Sequence, residues 1–441
     1  MDLFFFMNIL IPSLIVVHVL FFFLGFRYGW SVFQYDELRL VQLLITIVSI
    51  IYIIRSGKIH FSLLSCIILV IIFLQILINY NKLDFYSKQD ILLLNSIFFI
   101  FYSLKISFEE NSNKMKIIIP TLFFSLFPTI FIFLSIYNLI SLGDWFDWQL
   151  NGGSVRIFDS AIVPIYYFIL YYFYKNPKAN WLLILVFLIS LSLFFDGARS
   201  AIISCILPII FLFIVSKENR ILASKTLIVF FMGFIAHYLT FFLYNIIYNV
   251  QVSLFVARSS TSSRLELWKF AYFEWLKTPF SGAGGGFLSG LNSINVNHLH
   301  NFYLKILFEW GIAGFLILIL ILKKKAEYLL GNNNLILKMG ITGVAIDAFF
   351  SGNLIYPGSF FSCILFLGFA FSTAIDHKIH QWQFLSKLIF SLFASLFLYI
   401  IFFEFYNDFT CWGCGSYEGR EAPGFWYYGA TKHLVPAEQI P

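Results

Sequence analysis

The chain has 441 residues, of which 60% are hydrophobic and only 12% charged, with a formal net charge of +6. Soluble domains carry about 25% charged residues, so that class is excluded and a polytopic membrane protein is indicated. The basic excess does not point to nucleic acid, because Lys and Arg fall in short clusters between apolar runs, as topology signals do.

Apolar runs near the ~20 residues that cross a bilayer recur from the N-terminus to about Glu404. The candidate spans are 3–26, 38–54, 59–79, 91–108, 117–142, 161–174, 181–195, 201–216, 222–244, 302–322, 335–352, 358–375 and 384–403. The first lacks a basic n-region and a small-residue cleavage site, so it reads as a retained span and not a removed signal peptide. Arg55/Lys58, Lys114/Lys116, Lys175/Lys178, Lys217/Arg220, Lys323 to Lys325 and Lys378 fall in alternate loops. Basic loops stay inside, which puts those loops and the N-terminus in the cytoplasm. The 27–37, 80–90, 143–160, 196–200, 245–301 and 351–359 loops and the 404–441 tail then lie outside.

The 245–301 loop is far longer than the usual links of about 2–8 residues between helices. Within it, Ser262-Ser263-Arg264-Leu265-Glu266-Leu267-Trp268 starts like a capped helix. Leu265, Trp268, Tyr272 and Trp275 are expected to share one face of a helix lying along the membrane surface. Thr278-Pro279 should end it, with Ser281 to Gly286 as a flexible turn. That glycine-rich stretch is no Walker loop, for it lacks the following Lys-Ser/Thr. The expectation is an all-α polytopic transmembrane bundle of about 12–13 spans, a single domain over 1–403 that includes the long outer loop, followed by the 404–441 tail.

Chemistry is expected where polar groups gather at the outer rim: Arg156, Asp196/Arg199, Arg258/Arg264 and His298/His300/Asn301. Arginine keeps its charge and offers a planar fork of donors to phosphate oxygens, although Arg199 also has Asp196 as an ordinary partner. Histidine alone among unperturbed side chains titrates near neutrality, which suits His300 to take a proton from an attacking hydroxyl. On a continuous helix Gly311 lies about 16 Å deeper than His300 at 1.5 Å per residue. His300, Leu304, Leu307, Gly311 and Gly314 then follow one face, and the two glycines read as a small-xx-small helix contact. Lys305 and Glu309 are four apart on this helix; either they pair inside the membrane or Lys305 snorkels. Cys66, Cys205 and Cys363 lie in spans as apolar filler. Cys411-x2-Cys414 has no second pair to complete a zinc site, so a local disulfide is expected if the tail is outside.

His300-Asn301-x9-Gly311-x-x-Gly314 resembles the H-[N/S/Q]-x9-G-x-x-G signature of the O-antigen ligase and polymerase superfamily. Arg199-x3-Ile203, then Arg264 with Trp268, then Pro279-x-x-Gly282-x-Gly284 resemble further family elements in the same order, over about residues 140–375. Arg156, after Gly152-Gly153, sits where the family often has another basic residue. The resemblance implies a GT-C-like fold and inverting, metal-independent glycosyl transfer without a cofactor, on the periplasmic face of the bacterial inner membrane. The implied donor is a glycan on undecaprenyl diphosphate. The acceptor would be lipid A-core for a ligase, or a second lipid-linked repeat for an O-antigen polymerase. Carried over residue by residue, Arg199 and Arg264 would hold the diphosphate, with Arg156 as a further basic group. His300 would activate or orient the acceptor hydroxyl, and Asn301 would help fix the site. A lipid-linked glycan transporter or flippase is the rival of another class. It would need polar residues at mid-membrane depth, whereas here they gather at the rim.

Overall fold

The computed structural model describes residues 3–26, 34–80, 84–110, 120–145, 148, 155–252, 264–290, 299–330, 334–373 and 383–405. Among these the chain is helical and has no β-strand. The helices are α1 (Leu3–Phe23), α2 (Gln34–Ser56), α3 (Leu63–Asn79), α4 (Asp84–Glu110), α5 (Pro120–Leu142), α6 (Val155–Lys175) and α7 (Leu182–Phe195). They continue with α8 (Arg199–Val215), α9 (Arg220–Tyr248), α10 (Arg264–Lys277), α11 (Phe302–Leu330), α12 (Leu335–Phe350), α13 (Pro357–Ser372) and α14 (Gln383–Glu404). Every candidate span from the sequence coincides with one of these. Among the described residues, 7 helices are long and apolar enough to cross a membrane. Most of the others are apolar but shorter.

Local chemistry sets the ends. Ser62 accepts the Ser65 N–H at 3.2 Å to start α3, Asn334 accepts from Leu337 to start α12, and Pro357 opens α13. These are the residue types that satisfy or remove a helix's orphan N–H groups. Within α5, Phe123–Phe131 tightens to a 3-10 helix around Pro128. There the Ser125 and Thr129 hydroxyls bond carbonyls three residues back.

Helix α13 is buried along nearly its whole length and packs against α4 and α6. Helix α9 is peripheral: it lies along α7 and turns Ile221, Ile228, Phe231, Leu239 and Ile246 outward. Loops that charge assigns to one side of the bilayer meet each other. At one end Lys58 pairs with Glu110 at 2.8 Å and Lys225 reaches Asn180 at 3.4 Å. At the other, Arg39 donates to the Ile355 carbonyl, Ser87 to Gly285, and Lys88 pairs with Glu404 at 2.8 Å.

Two expectations for the long loop are corrected. Leu265 and Tyr272 do face outward, at 55% and 54% exposure. Trp268 and Trp275 instead turn inward with Leu267 and Ala271, into a small apolar cluster with Phe287, Leu299 and Phe308. Their indole N–H groups decide this, since they bond the Leu299 and Pro279 carbonyls. The 281–286 stretch is not a free turn either, because the Ala283, Gly284 and Gly286 amides bond to α11. Arg258, Ser262, Ser263, His298, Cys411 and Cys414 lie outside the described residues, as does the tail beyond 405.

Candidate active site

His300 has a left-handed backbone, φ 50°, which is uncommon for a residue with a Cβ. The turn it makes leads into a cap. Asn301 Oδ1 accepts the Leu304 N–H at 2.9 Å, and its carbonyl accepts the first helical bond from Lys305 at 3.0 Å. Asn301 is fully buried, and its Nδ2 has no hydrogen-bond partner among the described residues. The side chain expected to help fix the site therefore caps α11 with one atom and holds a donor in reserve with the other.

Helix α11 does not run straight from this cap. Gly311 has φ 67° and ψ −171°, so the helix breaks there and starts again. A break frees carbonyls below it and N–H groups above it, and burial makes each of these costly if unpaired. The segment after α10 and Gln75 of α3 meet them. Ala283 and Gly284 donate to Phe308 O and Glu309 O at 2.9 and 3.0 Å, while Ile312 and Ala313 donate to Pro279 O and Phe280 O at 2.8 and 3.3 Å. The Gln75 amide donates to Trp310 O at 2.8 Å and to Ser281 O at 3.2 Å. A Cβ on Gly311 would strike Phe280 O and Gly282 N, and one on Gly282 would strike Glu309 O and Gly311 N.

The small-xx-small reading of Gly311 and Gly314 is thus corrected. Gly311 is a helix break joined backbone to backbone with Pro279 to Gly284, and Gly314 clears the Trp310 side chain of its own helix. The N–H groups of Ala283, Gly284 and Gly286 are committed to α11 and that of Gly282 to the Thr278 carbonyl, so these four are not turned toward a phosphate.

Between cap and break, α11 carries a buried ionic cluster. Lys305 Nζ pairs with Asp90 of α4 at 2.7 Å and with Glu309. Asp90 also accepts from Trp310 Nε1 at 2.8 Å, and Glu309 from the Gly286 N–H at 3.0 Å. Of the two sequence alternatives for Lys305, the structure has pairing and not snorkelling.

The structure relates the candidate residues as follows. Trp268, one turn along α10 from Arg264, donates to the carbonyl of Leu299 beside His300 at 2.8 Å. Tyr303, just after Asn301, donates to Ala345 of α12 at 3.0 Å. Further along α12, Asp347 is fully buried and accepts from Ser351 Oγ at 2.8 Å. Ser200 and Ser160 face the same carboxylate. Ser200 follows the exposed Arg199 at the start of α8, and Ser160 lies one turn after Arg156 on α6. The Arg156 side chain is outside the described part. All these elements meet at one end of the bundle.

Asp347 and Asp90 escaped the sequence reading. Asp347 is the one acid of an apolar helix, and that alone is a signal, since ionisable residues inside spans are rare and usually functional. Asp90 sits at the polar start of α4, beside Lys88 and after Asp84, where an acid is unremarkable.

Residues 183–319 match a family model described as O-Antigen ligase. The match includes Arg199, Arg264, His300, Asn301, Gly311 and Gly314 and supports the resemblance to the O-antigen ligase and polymerase superfamily. No curated protein matches the chain.

Proposed function

We propose that the protein is an O-antigen ligase, which transfers a glycan from undecaprenyl diphosphate to lipid A-core on the periplasmic face of the inner membrane. The observation that carries this reading is the family signature, His300 to Gly314, on a capped and broken helix at the same end of the bundle as Arg199 and Arg264. In the reaction, an acceptor hydroxyl attacks the anomeric carbon as the bond to the diphosphate breaks. His300 takes the hydroxyl proton, and Arg199 and Arg264 stabilise the charge that develops on the leaving diphosphate, as preorganised donors do. Arg156 adds a further positive group, and the buried Asp347 carboxylate holds the start of α8 through Ser200.

Deletion of the gene tests the reading through the lipopolysaccharide banding pattern. A ligase null keeps long glycan on the lipid carrier and leaves bare lipid A-core. Core capped by a single repeat would instead identify an O-antigen polymerase, and lipid-linked repeats trapped inside the cell a flippase. Either result would overturn the ligase.

A further inference from the structure

We infer that Asp90, Lys305 and Glu309 are positioning residues that hold the His300-bearing half of α11 in register. The inference rests on the proposed transferase, because it assigns these residues a use in that reaction. The half-helix runs only from Phe302 to the break at Gly311, so its helical bonding does not carry through to the rest of α11. Apolar contacts with its neighbours resist separation but are non-directional, so they resist rotation or sliding poorly. A helix shifted by one residue turns its side chains by about 100° at 3.6 residues per turn, which would carry the His300 turn away from α10, whose Trp268 indole bonds the Leu299 carbonyl.

The ionic cluster supplies directional anchors on two sides. Asp90 takes Lys305 and Trp310 Nε1 from the half-helix onto α4. Glu309 takes Lys305 and the Gly286 N–H, which ties the same half-helix to the segment after α10. Each carboxylate therefore has one charged and one neutral donor. Lys305 is also the residue whose backbone N–H bonds the Asn301 carbonyl at 3.0 Å, so the anchored residue directly closes the first turn behind His300. Buried ion pairs are weak devices for net stability, and their best-attested use is to fix register.

Asp90→Asn is the discriminating variant. It removes one of two negative charges around a single lysine, keeps the acceptor for Trp310, and leaves Lys305 paired with Glu309. Lys88→Gln is the control: it removes a charge from the same turn of α4 and breaks the neighbouring bridge to Glu404, while Asp90 keeps Lys305 and Trp310. Two readouts on the purified full-length protein are needed.

Amide exchange in D2O should rise about tenfold over residues 299–305 in Asp90→Asn and not elsewhere in the bundle, as local loosening does. Transfer from undecaprenyl-diphosphate-linked glycan to lipid A-core should slow roughly 10- to 100-fold in turnover, the scale of a small misplacement. KM for the donor should be unchanged, since Arg199 and Arg264 lie on other helices. Lys88→Gln should match the native protein in both. Unchanged exchange at 299–305 in Asp90→Asn overturns the inference, as does normal turnover or a loss confined to KM. Failure of the native protein to transfer glycan would strike the proposed function, and an exchange increase in Asp90→Asn would still establish the anchor.

Discussion

His300 occupies a backbone conformation that suits glycine better than any L-residue with a Cβ, and this separates its two contributions. His300→Gly keeps the turn and removes the imidazole, whereas His300→Ala removes the imidazole and leaves the strain. Both are expected to abolish glycan transfer while still inserting into the membrane. Glycine should be the more stable by about 1–2 kcal/mol in thermal unfolding, the cost of a Cβ in the left-handed region. Transfer by either variant at the native rate would remove His300 from the chemistry. Asn301→Ala should lose the α11 cap at about 1 kcal/mol. Asn301→Ser should keep the cap yet lack the buried Nδ2, so any transfer defect it shows reports that donor.

At the scale of elements, the joint between Pro279 to Gly284 and Phe308 to Ala313 brings together two motifs that look independent along the chain. Gly311→Ala forces a Cβ against the Phe280 carbonyl in a conformation L-residues avoid, so it should open the joint. The expected signature is new proteolytic cleavage after α10. Gly314→Ala has only to displace the Trp310 side chain and should be the milder of the two in the same assay. Equal protection of both variants would contradict the broken-helix role of Gly311. This element also marks where sequence reading stops. The spacing of Gly311 and Gly314 fits a helix-packing face, and nothing local says that φ changes sign at Gly311. What decides it is a segment that supplies donors and acceptors from about 30 residues earlier. In the same way Lys305 and Glu309 were legible as an i, i+4 pair, but Asp90 lies 215 positions away. Asp347 has one hydroxyl neighbour close by in Ser351, but Ser160 and Ser200 come from α6 and α8, which no window along α12 contains.

For the whole molecule, the apolar runs and alternating basic loops were enough to place each span on a helix, because length and hydrocarbon content are local properties. Sidedness adds a direct check. With Cys411 and Cys414 replaced, Cys66, Cys205 and Cys363 remain buried and free and should stay silent to a membrane-impermeant thiol reagent. Lys269→Cys on the exposed face of α10 should label from the periplasm, and Lys178→Cys only after the membrane is opened. Labelling in the reverse order would invert the topology and move the proposed site to the cytoplasm.

The joint at Gly311 is written almost wholly in main chain, and this leaves its side chains open to drift. Phe280, at 75% exposure, contributes its carbonyl to the fold and little else. Such a site is specified by what two glycines lack, not by what any neighbour supplies. A change of side chain at the exposed Phe280 therefore alters the surface there and leaves the joint's hydrogen bonds in place. The helix break at Gly311 would stay as it is.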